Sequence, residues 1–292
     1  MCCLPDCLQV PKVVERENFQ LDLQFENSHN LRTYLSHQYS KYPFHICRVQ
    51  YLDDVPSGMG TVYLQSSAGG IFSNDRLFCR FHGLPGTMVH VTTQSSTIAH
   101  TMDCGYAEHN LTIRAEEDCL FEYIPDPVIL FPNSNLVSRL NVEMDPTATV
   151  MLTDTFLSHD PKSGIQSEKF RSYVNEVHVT DLNGQSICLD RSQINGDNFW
   201  GNVEGCMGSY HAIGTFFLLN MTLPVEPLCE QLRSILDGLG DVYAGVSTLP
   251  NHSGVWARIA SPSIARIRLG IRELWKESRR IVKGSVPAIR RK

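Results

Sequence analysis

The stretch Val62–Leu77, VYLQSSAGGIFSNDRL, and its echo Leu120–Ser134, LFEYIPDPVILFPNS, decide how the chain is read. In the first, a short apolar strand runs into Ala68-Gly69-Gly70. Paired glycines reach φ > 0 without a Cβ clash, so a sharp turn is expected there. A second apolar segment ends at Asn74-Asp75-Arg76-Leu77, where the adjacent Asp75 and Arg76 read as a local ion pair closing a strand. In the second stretch a strand stops at Pro125 and restarts between Pro127 and Pro132. Proline donates no ladder hydrogen bond, so this segment is expected at a sheet edge or in an extended crossing over a sheet.

The flanking sequence repeats the strand signal. FQLDLQF places Phe19, Leu21, Leu23 and Phe25 on one face, with Leu31–Leu35 as partner. Pro43–Leu52 pairs with Thr61–Gln65, and Leu77–His82 faces Met88–Thr93 around Gly83-Leu84-Pro85-Gly86. Three further hairpins are expected: Asn110–Arg114 with Cys119–Ile124, Leu136–Glu143 with Thr147–Leu157, and Tyr173–Thr180 with Gln185–Asp190. The last carries Asn183-Gly184, a strong two-residue turn signal. Strands at this regular spacing point to a sandwich or a stacked β architecture. No internal repeat is strong enough to establish a solenoid.

After Pro224 the period changes. Glu226–Leu239 has apolar residues at helical spacing, Asp241–Ser247 and Val255–Ala260 read as strands, and a second helix is expected over Pro262–Val282. Ser261 is its expected N-cap and Pro262 its first residue. The fold class is therefore mainly β. A large stacked body, β-helical or sandwich-like, has a C-terminal helix–strand–strand–helix unit packed alongside. The expected organisation is a loose leader over 1–17 and one domain over 18–292, comprising a β body (18–223), an α/β flank (224–283) and a basic tail (284–292).

The 292 residues are 42% hydrophobic, enough for a large core. The net charge is −6, yet ten Lys/Arg and only two acids follow Ala265. An acidic body with a basic end argues against a nucleic-acid binder. There is no apolar run of membrane-spanning length and no basic-then-apolar secretory leader, so a cytoplasmic protein that uses no membrane is expected. Its ten cysteines then read as thiols, several of them in apolar strands (Cys47, Cys79, Cys119, Cys188).

Catalytic signatures are sparse. HExxH, CxxC, GxSxG and phosphate-loop patterns do not occur. The nearest metal-like group is His100, Cys104 and His109 in an unpatterned segment, which would serve a metal-dependent hydrolase. Its three tryptophans do not suggest a sugar platform. On the last helix Arg272, Arg279 and Arg280 are candidates for binding an acidic protein partner, with the apolar stripe Ile264, Ile267, Ile271, Leu274 and Trp275 docked to the body and the arginines facing outward.

A strand followed by GG-x-x-x-x-DRL (Gly69, Gly70, Asp75, Arg76) and then EYxPxPxIxF (Pro125, Pro127, Phe131) resembles the UreD, or UreH, urease accessory proteins. LDRSQI, with Asp190 and Arg191, SEKF, with Glu168 and Phe170, and NHSGVWARI at Asn251–Ile259 extend the resemblance over Phe19 to Ile281. The resemblance implies a scaffold, not an enzyme. It implies urease apoprotein subunits and UreF-type and UreG-type proteins as partners, and Ni²⁺ held only transiently, with no tightly bound cofactor. It also implies an internal passage for the ion, for which Asp75, Glu122 and Glu168 are the candidate carboxylates. Oxygen donors bind Ni²⁺ more weakly than thiolate or imidazole, which suits an ion that must move on.

Overall fold

The computed structural model describes residues 19–159, 169–200 and 207–290. The leader and Glu168 lie outside these residues. Two antiparallel strands, β1 (Leu21–Asn27) and β2 (Thr33–Ser40), come first. β3 (Phe44–Ile46) pairs antiparallel with β4 (Gly60–Ser66). The chain then winds through β5 (Arg76–Gly83), β6 (Met88–Thr93), β7 (Thr97–Ala99), β8 (Ala107–Ala115), β9 (Leu120–Tyr123), β10 (Val128–Leu130), β11 (Asn135–Met144) and β12 (Thr149–Ser158). β13 (Ser172–Asp181) and β14 (Ser186–Asn195) form a hairpin, followed by the short helix α1 (Gly196–Trp200). β15 (Ala212–Leu219), α2 (Val225–Asp237), β16 (Tyr243–Thr248), β17 (Gly254–Ser261) and α3 (Ile264–Lys283) complete the fold.

These strands make two sheets. The first runs β14-β13-β11-β8-β5-β1-β2, the second β16-β17-β15-β12-β9-β6-β4-β3, with β10 between β12 and β7. From β4 to β13 the chain winds between the sheets, with β7 and β10 as short extra strands of the second, and the pairs β5–β8, β8–β11, β11–β13, β4–β6, β6–β9 and β9–β12 are parallel. The architecture is solenoid-like in this central part. Three of the expected hairpins are therefore corners. β5 and β6, β8 and β9, and β11 and β12 lie in opposite sheets. A corner and a hairpin turn use the same chemistry, but the corners bond to one another: Leu84 N–H to Phe25 O at 3.1 Å, Glu116 N–H to Gly83 O at 3.0 Å, and Asp145 N–H to Ala115 O at 2.9 Å. The β1–β2, β3–β4 and β13–β14 pairings are antiparallel as read.

The proline-rich stretch is not at an edge. β10 has parallel neighbours on both sides. Its ladder needs only the three residues between the prolines, and the Pro127 carbonyl still accepts from Thr97 N–H at 3.2 Å. The second correction concerns α3. Ser261 remains in β17, where its Oγ donates to Asp241 O at 3.1 Å, and the N-cap is Ser263. The helix stops at Gly284, whose φ of +71° suits a residue without Cβ.

Alternation in the strands builds hydrophobic cores on both faces of the second sheet. Leu21, Leu23, Phe25, Phe81, Phe121 and Val150 fill the space between the sheets. On the other face of the second sheet, Met151, Phe216, Leu218, Ala257 and Ile259 meet Leu228, Leu232 and Leu236 of α2 and Ile267, Ile271 and Leu274 of α3. Each fully buried large side chain contributes about 1.5–3 kcal/mol of transfer free energy. α3 approaches so closely that a Cβ on Gly214 would lie 2.5 Å from Ile267. The protein is thus three-layered: sheet, sheet, helices.

Candidate functional site

Strand register produces a polar line on each inner face. In the first sheet His109 (β8), Ser138 (β11) and Asn175 (β13) are successive register partners. They occupy the parity that the neighbouring apolar residues use, so they point between the sheets. In the second sheet Asp154 (β12), Thr215 (β15) and Arg258 (β17) are likewise register partners. The Tyr173 hydroxyl donates across the gap to Asp154 at 3.0 Å. Arg258 donates to Asp190 at 2.8 Å, so the LDRSQI aspartate ties the edge strand β14 to the opposite sheet.

A cavity of about 180 Å³ lies along these lines. His109, Ser138, Asn175, Tyr123, Cys79 and Asp154 are on its wall, and its exposed end is formed by Ser66, Gly69, Gly70, Gln94 and Ser95. The glycine turn therefore shapes the mouth. Gly69 has φ +76°, and a Cβ on Gly70 would meet Ile98 O at 2.4 Å.

The enclosure shifts the groups inside it. Burial raises the Asp154 carboxyl to about 6, against the Tyr173 hydrogen bond and Arg258. Burial lowers His109 to about 4, so its imidazole is neutral at physiological pH. Burial also pushes the Cys79 thiol up, keeping it protonated. The cavity wall thus carries neutral Cys and His donors, the Asp154 carboxyl with its raised pKa, the Asp126 carboxyl and the Arg139 guanidinium.

The sequence candidates fall elsewhere in part. Asp75 accepts the Phe72 N–H at 2.8 Å and fixes the turn that holds Asn74 at φ +65°. It is not among the cavity-lining residues. Its carboxylate does not pair with Arg76, whose guanidinium donates instead to the Asp75 carbonyl at 3.0 Å and the Tyr106 carbonyl at 2.8 Å and lies 3.4 Å from Glu108 and over the Tyr106 ring. His100, Cys104 and His109 do not converge. His100 stacks on Phe72 and Phe131 near the mouth, Cys104 is exposed in a loop, and His109 points inside. Among the described residues no three His, Cys, Asp or Glu side chains form a metal-sized group. Phe131 also stacks on His159, with centroids 4.2 Å apart, and Arg191 lies 3.5 Å from Glu176.

Glu122 sits on the other side of the second sheet. Alternation sends Tyr123 into the cavity and Glu122 toward α3. There it accepts two hydrogen bonds from Arg279 and one of 2.8 Å from His90. All three side chains are buried. Arg279 also lies 3.5 Å from Asp53, which accepts from Arg290 at 2.6 Å and from Ala288 N–H at 2.7 Å. Trp275 stacks on His90 with centroids 4.9 Å apart. Burial alone would raise the Glu122 carboxyl, but Arg279 and His90 outweigh it and hold it at about 2. Burial lowers His90 to about 4. The expectation that Arg279 faces outward is therefore overturned. A planar fork that meets a buried carboxylate through two donors gains more inside than in water. Arg272 and Arg280 do face solvent, each with a glutamate of the same helix beside it.

Between α3, the C-terminal strap and the second sheet is a groove of about 830 Å³, lined by Arg268, Arg272, Lys276, Arg290 and apolar Ile271, Trp275 and Ile289.

The sequence profile described as UreD urease accessory protein matches residues 18–292. The chain belongs to the UreD family. "Urease accessory protein UreD 1" of Pseudomonas syringae pv. syringae (strain B728a) is 37% identical over 270 residues, covering 92% of this chain and 94% of the relative. Its namesake from Pseudomonas syringae pv. tomato is 36% identical, covering 89% and 90%. "Urease accessory protein UreD 2" of Streptomyces griseus is 30% identical, covering 87% and 86%. In this UreD chain the motif residues occupy structural posts: Gly69 and Gly70 at the mouth, Asp190 as the inter-sheet brace, and Pro125 on the wall of both cavity and groove. Reading the sequence for motifs missed Asp154, Ser138, Asn175, Thr215 and Arg258. Their signal was a polar residue on the apolar parity of each strand.

Proposed function

We propose that this UreD chain is a non-enzymatic urease maturation factor. It binds urease apoprotein subunits, joins UreF-type and UreG-type proteins, and lets Ni²⁺ pass between its sheets toward the dinickel site. Family membership supports the urease role, and the cavity between the sheets, with polar groups aligned in register on its inner faces, is the observation that carries the transfer reading. Its donors are neutral thiol, neutral imidazole, amide, hydroxyl and the carboxyl groups of Asp126 and Asp154, a set that slows an ion without a closed cage. The exposed Arg272 and Arg280, beside the basic groove, suit an acidic face of the UreF-type partner. The proposed setting is the cytoplasm, where the free thiols of Cys47, Cys79, Cys104, Cys119, Cys188 and Cys229 stay reduced. The separate hydrolase reading loses its basis, because its three ligands point to different places.

The test is deletion of the gene in a urease-positive host. Loss of urease activity, restored by high external nickel, is expected, together with co-purification of the chain with urease subunits and UreF-type and UreG-type proteins. Full urease activity at limiting nickel without the chain would refute the reading.

A further inference from the structure

Cys79 and His109 are diagonal neighbours on the inner face of the first sheet. Leu77 pairs with His109 and Cys79 with Leu111, so both side chains leave the same face two residues apart in register. The Cys79 Sγ lies 3.9 Å from His109 Nε2, and both residues are on the cavity wall. Among the described residues no stronger hydrogen bond holds the imidazole. A buried imidazole ordinarily has a carbonyl or carboxylate partner, because an unsatisfied polar nitrogen is costly. Here its remaining capacity is aimed at the cavity.

We infer that Cys79 and His109 form a two-donor resting site for a borderline divalent cation inside the cavity. Metal–sulfur and metal–nitrogen bonds of about 2.3 and 2.1 Å at a tetrahedral angle place the donors about 3.6 Å apart. The observed 3.9 Å closes to that with a small side-chain movement. One thiolate and one imidazole favour Ni²⁺, Co²⁺ or Zn²⁺ over Mg²⁺ or Ca²⁺. The cavity of about 180 Å³ has room for the ion and several waters at roughly 30 Å³ each. On binding, a sulfur–metal bond and a nitrogen–metal bond form, two waters leave the ion, and the thiol proton passes to water. Losing that proton in an enclosed space costs free energy, so the ion is held loosely and more tightly at higher pH. The absence of a third His, Cys, Asp or Glu ligand among the described residues keeps the exit open. This deepens the nickel-transfer reading and rests on it for the identity of the cargo.

The probes are Co²⁺ and Ni²⁺ added to the full chain carrying Cys2→Ser, Cys3→Ser and Cys7→Ser, which silences the N-terminal thiols. Co²⁺ is expected to give a near-ultraviolet thiolate-to-metal band that strengthens with pH. Cys79→Ser should abolish it, and His109→Gln should weaken Co²⁺ binding at least about tenfold. Nickel X-ray absorption on the same parent needs no ligand variant and should show one sulfur per bound ion. A parent without the band or without a sulfur neighbour overturns the site, as does a band that survives Cys79→Ser. Those results with urease maturation intact would reject the resting site alone; urease maturation at limiting nickel without the chain would reject the wider reading.

Discussion

Replacing Arg279 by Met tests the buried charge cluster most directly. Glu122, Asp53, Arg279 and Arg290 carry two negative and two positive charges, and His90 is neutral. The cluster is balanced, which is why it tolerates burial. Arg279→Met keeps the aliphatic stem and removes one positive charge. Glu122 keeps only His90, while Asp53 keeps Arg290 and the Ala288 N–H. Removing one member of a buried pair costs about 3–5 kcal/mol, a large part of the roughly 5–15 kcal/mol that holds a domain folded. The pH dependence should also reverse. In the wild type, Glu122 is held at about 2 and His90 at about 4, both below their unfolded values. Their contributions are present above those unfolded values and are lost as pH falls toward the folded ones. In Arg279→Met the cluster is one charge negative and takes up a proton. Whether Glu122 or His90 carries it is immaterial, since the pair titrates as a unit. The variant should therefore recover stability relative to wild type as pH falls from about 7 to about 5. Urea unfolding followed by tryptophan fluorescence and circular dichroism at both pH values measures this. A loss under about 1 kcal/mol at neutral pH, or a pH slope equal to the wild type's, would refute the account.

Other expectations follow from the cavity and the surface. For Asp154 the folded carboxyl at about 6 exceeds its unfolded value of 3.8, so its contribution to stability falls as pH rises through that window. Asp154→Asn should gain about 3 kcal/mol on wild type between about pH 4 and 7, and a pH-independent difference in denaturation would contradict it. Gly70→Val places carbon against Ile98 O and the His100 ring and should cost roughly 1–3 kcal/mol, whereas an unchanged denaturation midpoint would show that the mouth can open. Arg272→Glu with Arg280→Glu should leave unfolding within about 0.5 kcal/mol of wild type but, on the proposed function, weaken capture of the proposed UreF-type partner in a salt-sensitive way. Full retention at low salt would remove α3 from the docking surface.

The strands, the closing helices and the β13–β14 hairpin were legible because each rests on local chemistry: alternation, helical spacing, Asn183-Gly184. The solenoid course was not. Gly83–Gly86 reads as a turn whether β6 folds back on β5 or crosses to the other sheet, and only the pairing of β5 with β8 and of β6 with β9 reveals the difference. Arg279 was misplaced for a related reason. It follows Ser278 on the stripe beneath Trp275, and its partners Glu122 and Asp53 are far away in sequence. Charge alone put it outside, whereas helical position put it inside. The cavity was half legible. Ser138 interrupts Leu136, Leu140 and Val142, and Asn175 interrupts Tyr173, Val177 and Val179. Each is visible singly, but their alignment depends on register, which no single strand encodes.

The basic C-terminal segment has a physical meaning different from its net charge. Arg266 meets Asp241, Arg268 meets Asp126, Arg272 and Lys276 share Glu273, Arg280 meets Glu277, and Arg290 meets Asp53. Much of the positive charge is thus answered locally, and some of it by acids of the β body. What remains is a groove whose cations already have one neighbour each. A partner carboxylate arriving there exchanges ion pairs rather than creating them, so the net gain in affinity per pair is small. The apolar floor of Ile271, Trp275 and Ile289 must then supply most of the binding free energy, and the arginines chiefly the orientation. On that basis Ile289, 87% exposed on the strap, is the better single point of attack than any arginine. Ile289→Asp should raise the dissociation constant of the UreF-type partner at least about tenfold, with little salt dependence in the loss. Equal affinity for that variant, alongside a large loss in the arginine double variant, would reverse the order of importance argued here.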